Sequence, residues 1–219
     1  MKIKKEILKA IGDLTTPAFF KGAFNKFFSW KDLENLLNLR PFVNASRFNI
    51  LSGQTYQWRS ENWMSDINSF PPSLIDTEIR KHHCYFTDGS RVNKSINEVC
   101  GQLEKQFNSC ADAHIYFNLS EDNNHPFKIH WDQSHNLILQ MEGSTHFEAW
   151  SQKIQVKEKN LDSLSEEPVI SEILTPGDAV FVPSHTYHRA TSVTKRLSIS
   201  FPFVIDITMP AQDRHWIRI

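Results

Sequence analysis

His130 and Asp132, one residue apart, and His188 further along are the residues of this 219-residue chain best suited to hold a metal. Two imidazoles offer nitrogen lone pairs and the carboxylate an anionic oxygen, a mixed set that suits a divalent first-row metal. Alternate side chains on a strand share a face, so His130 and Asp132 are expected to point into one space. An imidazole from a neighbouring strand would then close one face of the ion and leave the opposite positions open, the arrangement diagnostic of non-haem Fe(II) oxygenases. The His-x-Asp pair alone carries little weight, because a core histidine bonded to a carboxylate has the same sequence. The segment PGDAVFVPSHTYHRATS offers a third imidazole: Gly177 and Asp178 make a turn, a strand follows to Pro183, and His188 stands beside its end.

These residues need strands to present them. From residue 113 the hydrophobic period is about 2, in the runs HIYFNLS, FKIHWD, NLILQM, THFEAW, KIQVK, DAVFVP and RLSISFPFV. Turn signals separate them at Asp122-Asn123-Asn124 and Pro176-Gly177-Asp178, and Leu161 to Glu167 reads as a looser polar connection. Short strands with no helices between them indicate an antiparallel sandwich or barrel. The first half reads as helices and loops. Ile7, Leu8 and Ile11 recur at helical spacing; Ser29 can cap a helix carrying Leu33, Leu36 and Leu37, which Pro41 ends. A strand is possible over Arg47 to Leu51. Ser95 to Phe107 is amphipathic, with Ser95 and Glu98 forming a capping box and Ile96, Val99, Leu103 and Phe107 on one face. The expected organisation is a helical region, 1–110, packed on a β core, 111–205, with a C-terminal tail, 206–219.

Composition narrows the partners. Lysine plus arginine against acids gives a net charge of −1, which disfavours a generic nucleic-acid binder and favours a protein or small-molecule substrate. Lysines interrupt the apolar residues near the start and no long apolar run occurs, so neither export nor a membrane span is expected. Cys84, Cys100 and Cys110 form no C-x-x-C pair, which argues against a disulfide framework or a zinc knuckle and fits the cytoplasm. Oligomeric state is not legible.

The segments HPFKIHWDQSHNLILQMEGSTHFEAW and TPGDAVFVPSHTYHRATSVTKRLSISF resemble the cupin-like JmjC oxygenases over roughly residues 113 to 203. Phe181, Pro183 and His188 meet that family's F-x-P-x-x-x-x-H pattern, and FSWKDLENLLN near residue 28 is similar to its bacterial and ribosomal-oxygenase branch. The resemblance implies a double-stranded β-helix, mainly β with α, that uses Fe(II) and 2-oxoglutarate for hydroxylation. It carries His130, Asp132 and His188 over as iron ligands, with Asn136 and Gln140 as polar residues on the next strand. Where many relatives have Gly-x-Lys, the lysine gripping the distal carboxylate of 2-oxoglutarate, this chain has Gly143-Ser144-Thr145. A buried carboxylate without a cation is costly, so a substitute is required. Arg196, at the start of the last apolar strand, ranks first, Lys128 second by strand parity with His130, and Thr145 serves as a hydroxyl helper. His185 aligns with a turn position rather than a ligand, while His135 and His146 suit hydrogen-bonded barrel positions. A cupin dioxygenase that does not use 2-oxoglutarate and a non-catalytic binding module stand as the alternatives.

Overall fold

The computed structural model describes residues 3–39, 48–52, 56–58, 76–77, 79–120, 127–154 and 158–205. Two antiparallel sheets face each other. The larger has strands in the order β1(Ala18–Phe20), β12(Ala179–Val182), β8(His135–Glu142), β14(Arg196–Ile205), β6(His114–Asn118), β4(His83–Phe86), β2(Phe48–Ser52) and β3(Tyr56–Trp58), with β5(Ser109–Ala111) also paired to β14. The smaller runs β10(Asn160–Leu161), β7(Ile129–His130), β13(His188–Ser192), β9(Thr145–Ala149) and β11(Ile170–Leu174). Together they make the double-stranded β-helix.

Strand alternation divides the large sheet into two chemistries. Leu137, Leu139, Leu197, Ile199, Phe201 and Phe203 face outward and are essentially inaccessible to solvent. They pack against α1(Lys5–Ala10), α2(Trp30–Leu37) and α3(Lys94–Phe107), which contribute Ile7, Leu8, Leu33, Leu36, Ile96, Val99 and Leu103 to the same core. Each such side chain contributes about 1.5–3 kcal/mol relative to an exposed one. Residues of the other parity, among them Asn136, Gln140, Arg196, Ser198 and Ser200, line an internal cavity. Phe147, Ala149, Ile170, Leu174, Val180 and Val182 make a second apolar cluster between the sheets.

Local signals account for several boundaries. Ser29 caps α2 in a full capping box: its hydroxyl accepts from the Asp32 N–H, and the Asp32 carboxylate accepts from the Ser29 N–H at 2.8 Å. For α3 the cap expected at Ser95 moves to Asn93, whose side chain accepts from the Ser95 and Ile96 N–H groups. Asn93 is extended and precedes the first helical residue, so Ser95 falls inside the helix. The N-terminal part is also less helical than its periodicity suggests, because β1 to β4 all join the large sheet. Its three-residue and four-residue strands β1 and β4 are too short to display a period. Of the KIQVK run, Lys153 and Ile154 lie in a turn and bend, and 155–157 fall outside the described residues, as do Pro41, Asp122-Asn123-Asn124 and the tail 206–219.

The turn before β12 is built on Gly177 at φ +99° and on Asp178. The Asp178 carboxylate accepts from the N–H groups of Gly22 and Thr175 at 2.9 Å and from the Thr175 hydroxyl at 2.8 Å, and Lys21 lies 3.1 Å away. Burial opposes its ionisation, yet these bonds outweigh it and hold the carboxyl below its ordinary range. The turn thereby ties β1 to β12.

Candidate metal centre and cavity

His130 and His188 are direct cross-strand partners on β7 and β13, so their side chains share a face and their rings sit 4.3 Å apart. Asp132 lies just beyond the two-residue strand β7, and a turn brings it in: the His185 N–H donates to the Asp132 carbonyl at 2.7 Å. Its Oδ2 is 3.7 Å from His188 Nε2. One ligand atom from each of His130, Asp132 and His188 lies within 4.8 Å of the other two.

The hydrogen bonds around the triad set its donor atoms. His130 Nδ1 is 2.8 Å from the Lys128 carbonyl and His188 Nδ1 is 2.9 Å from the Thr186 carbonyl. A carbonyl only accepts, so each Nδ1 carries the proton and each neutral ring keeps its Nε2 lone pair for a metal. Burial and the neighbouring His188 push the His130 pKa down, which favours that neutral ring. The Asn136 side-chain amide donates to Asp132 Oδ2 at 2.9 Å, and Ser200 Oγ donates to Asn136 Oδ1 at 3.2 Å, so the carboxylate is oriented from β8 and β14. Two imidazoles presenting Nε2 and an oriented carboxylate on one side of an open space fit a divalent iron.

That space is a cavity of about 320 Å³. Arg196 lines it and is 4% exposed, its Nε buried without a hydrogen-bond partner. No carboxylate among the described residues pairs with it, and burial pushes its pKa down to about 10, so it remains a cation at neutral pH. Tyr116, directly opposite Ser198 in the β6–β14 register, also lines the cavity, and burial raises its pKa, which keeps the phenol protonated. Thr145 occupies the inward position where the resemblance implied a lysine; it and Ser198 each donate to Gln140 Oε1 at 3.0 Å. Gln140 is fixed in turn by donating to the Glu142 carbonyl at 2.8 Å.

The structure therefore brings His130, Asp132, His188, Asn136, Gln140, Thr145 and Arg196 around one cavity. It does not bring Lys128 there. That residue precedes the two-residue strand, so the parity that aligned it with His130 does not extend to it, and it pairs with Asp162 at 2.7 Å instead. His185 is exposed, left-handed at φ +57° and stacked on Trp131, as suits a turn. His135 accepts from the Ser184 N–H and His146 bonds Ser171 Oγ. Sequence reasoning missed Tyr116, Phe127, Lys159 and Asn160 in the cavity wall. Parity with Arg196 along β14 could have found Ser198 and Ser200, whereas the two-residue strand β10 left no readable signal for Asn160.

Known proteins share this architecture. A crystal structure of the Escherichia coli protein YcfD superposes with a TM-score of 0.62 at 16% identity, covering 95% of this chain and 54% of that one. The same protein, described as a ribosomal oxygenase in complex with cobalt and 2-oxoglutarate, gives a TM-score of 0.58 at 16% identity, covering 91% of this chain and 52% of that one. Among curated sequences, the bifunctional lysine-specific demethylase and histidyl-hydroxylase NO66 of Drosophila persimilis is 21% identical over 173 residues, 77% of this chain and 25% of the relative. Human ribosomal oxygenase 1 is 30% identical over 95 residues, 40% of this chain and 14% of the relative. The chain thus spans a quarter or less of these curated relatives and about half of YcfD. The family model described as JmjC domain matches residues 89–210, the stretch that holds the His-Asp-His cluster and its cavity, and the chain belongs to the JmjC domain family.

Proposed function

We propose that this chain is an Fe(II)- and 2-oxoglutarate-dependent oxygenase that hydroxylates a protein substrate. One observation carries the reading: a cavity with a metal-competent triad in its wall also contains a buried guanidinium that no carboxylate among the described residues pairs with. An uncompensated buried cation is costly, and a carboxylate ligand offsets that cost. His130, Asp132 and His188 would hold iron, and Arg196 would grip the distal carboxylate of 2-oxoglutarate. Thr145, Gln140 and Ser198 already bond among themselves, which fixes the polar wall beside that carboxylate. Tyr116 holds a proton and can donate it in a hydrogen bond to the same anion.

Iron with 2-oxoglutarate supplies oxidative decarboxylation of the keto acid to succinate and insertion of an oxygen atom into a substrate C–H bond. The chain's own residues orient and shield. Asn136 keeps Asp132 turned toward the imidazoles, and Phe127, Ile138, Phe147 and Leu174 give the cavity apolar walls that exclude water from the reacting centre. The printed names of the relatives, a histidyl-hydroxylase and ribosomal oxygenases, favour protein as the substrate class. The core over 111–205 would carry the chemistry, with the preceding region as its support. No helix among the described residues is long and apolar enough to cross a membrane. Cys84, Cys100 and Cys110 are free thiols, as suits the reducing cytoplasm we propose for the activity.

Anaerobic titration with Fe(II) and then 2-oxoglutarate tests the reading, because chelation of the keto acid gives a visible charge-transfer absorbance. One iron per chain is expected, lost in His130→Ala, Asp132→Ala and His188→Ala but kept in His185→Ala. Iron binding with no such absorbance would favour the cupin chemistry that does without 2-oxoglutarate; no iron binding at all would favour the binding module.

A further inference from the structure

The cavity mouth carries a second cation that the chemistry above does not use. Lys159 lines the cavity next to Asn160, and Asn160 is the cross-strand partner of the ligand His130. Lys159 is exposed, and among the described residues no carboxylate pairs with its ammonium, which lies 6.0 Å from the centre of the Trp131 ring. Trp131 is in turn fixed, its indole N–H donating to the Glu158 carbonyl at 3.0 Å and its ring stacked on His185 at 4.8 Å. Lys128, another lysine on this side of the barrel, is neutralised by Asp162. Lys159 is therefore a free charge held near an aromatic surface at the entrance.

Charge balance shows what that cation faces. Among the described residues, Asp132 is the one acid lining the cavity, and Arg196 and Lys159 are its cations apart from the histidines. A divalent metal with Asp132 leaves one positive charge and Arg196 adds another. The two carboxylates of 2-oxoglutarate cancel both, so the charge of Lys159 remains at the mouth for whatever enters last. A protonated lysine or arginine side chain would meet like charge there, which costs rather than contributes.

We infer that Lys159 is a specificity-determining residue that selects a substrate side chain or end group bearing a carboxylate, which it pairs at the cavity mouth while the adjoining C–H bond faces the metal. This inference rests on the oxygenase reading. Asn160 adds a neutral donor and acceptor from the same strand, able to hydrogen-bond a peptide amide next to that carboxylate.

Three blocked amino acids, the N-acetyl amides of glutamate, glutamine and lysine, serve as probes. They are added to full-length protein loaded with Mn(II) and saturated with 2-oxoglutarate, so that Arg196 is occupied. Paramagnetic broadening of their side-chain protons then reports binding beside the metal independently of turnover. Blocked glutamate should bind roughly three- to tenfold more tightly than blocked glutamine, as expected for one partly exposed charge pair, and blocked lysine more weakly than either. Lys159→Met should erase the preference and Lys159→Glu should reverse it toward lysine; both replace an exposed side chain, and thermal melts verify folding. Absence of a glutamate preference in the wild type, or its persistence in Lys159→Glu, would overturn the inference. The affinities for Mn(II) and 2-oxoglutarate are measured in the same samples, so that every probe is compared on fully loaded protein. A wild type that binds no 2-oxoglutarate would sink the oxygenase reading and this inference with it, whereas 2-oxoglutarate binding without charge discrimination sinks the inference alone.

Discussion

Replacing Arg196 with methionine should have opposite effects on the free and the liganded protein. In the free protein the guanidinium is 4% exposed and has no anionic partner among the described residues. Burial lowers its pKa from 12.5 to about 10, an energetic cost on the order of 3 kcal/mol for keeping it charged in the fold. A base whose folded pKa is lowered costs stability wherever it is protonated, so the penalty is full at neutral pH and fades as pH rises past about 10. Methionine fills similar space without the charge, and the metal-free Arg196→Met protein should therefore melt at a higher temperature than the wild type at pH 7. With 2-oxoglutarate the order inverts. The variant leaves the distal carboxylate buried and unpaired, which costs about 3–5 kcal/mol, or roughly a hundred- to several-thousandfold in affinity. Anaerobic titration of the Fe(II) form reads that loss, and iron affinity should be nearly unchanged because Arg196 is not a ligand. Thermal melts supply the second readout: 2-oxoglutarate should raise the melting temperature of the metal-loaded wild type and leave the variant where it was. Unchanged 2-oxoglutarate affinity in Arg196→Met would refute the assignment, and a destabilised metal-free variant would refute the unpaired-cation argument beneath it.

Asn136→Ala removes the amide that donates to Asp132 Oδ2 at 2.9 Å, and should weaken metal binding about 10- to 100-fold in competition with a chelating dye while all three ligands remain. Asp178→Asn should make the protein less stable at neutral pH, and the deficit should shrink in acid. A carboxylate with a lowered folded pKa contributes stability above its unfolded pKa and loses it as pH falls through the folded value, so acid melts of the two proteins should converge below the ordinary carboxylate range.

The clustering of His130, Asp132 and His188 was legible because each of its parts is written locally. His-x-Asp needs only two neighbouring positions, and His188 follows a turn that Gly177 and Asp178 announce. Arg196 was legible for a different reason: it opens a ten-residue strand whose alternation is long enough to assign faces. Lys128 shows the limit of the same argument, since parity was projected along a strand that proves to be two residues long. Asp132 reaches the centre through the bond between its carbonyl and the His185 N–H, a contact between distant segments that no period records. The short strands β1 and β4 were missed likewise, because their pairing with β12 and with β2 and β6 decides their conformation. Lys159 and Asn160 had no strand pattern at all, and only the fold places them at the cavity.

The helices of the first half belong to the same argument as the cavity. On β14, Leu197, Ile199, Phe201 and Phe203 point one way and Arg196, Ser198 and Ser200 the other; on β8, Leu137 and Leu139 oppose Asn136 and Gln140. A sheet that keeps a polar row inside must bury its apolar row outside, and Ile96, Val99, Leu103, Leu33 and Leu36 supply the cover. Without that cover the outward row would face water and the sheet would gain by turning its apolar face inward, closing the cavity against Arg196 and the triad. The register that holds a polar cavity open is thus secured from the opposite face of the sheet, by side chains that never approach the metal site.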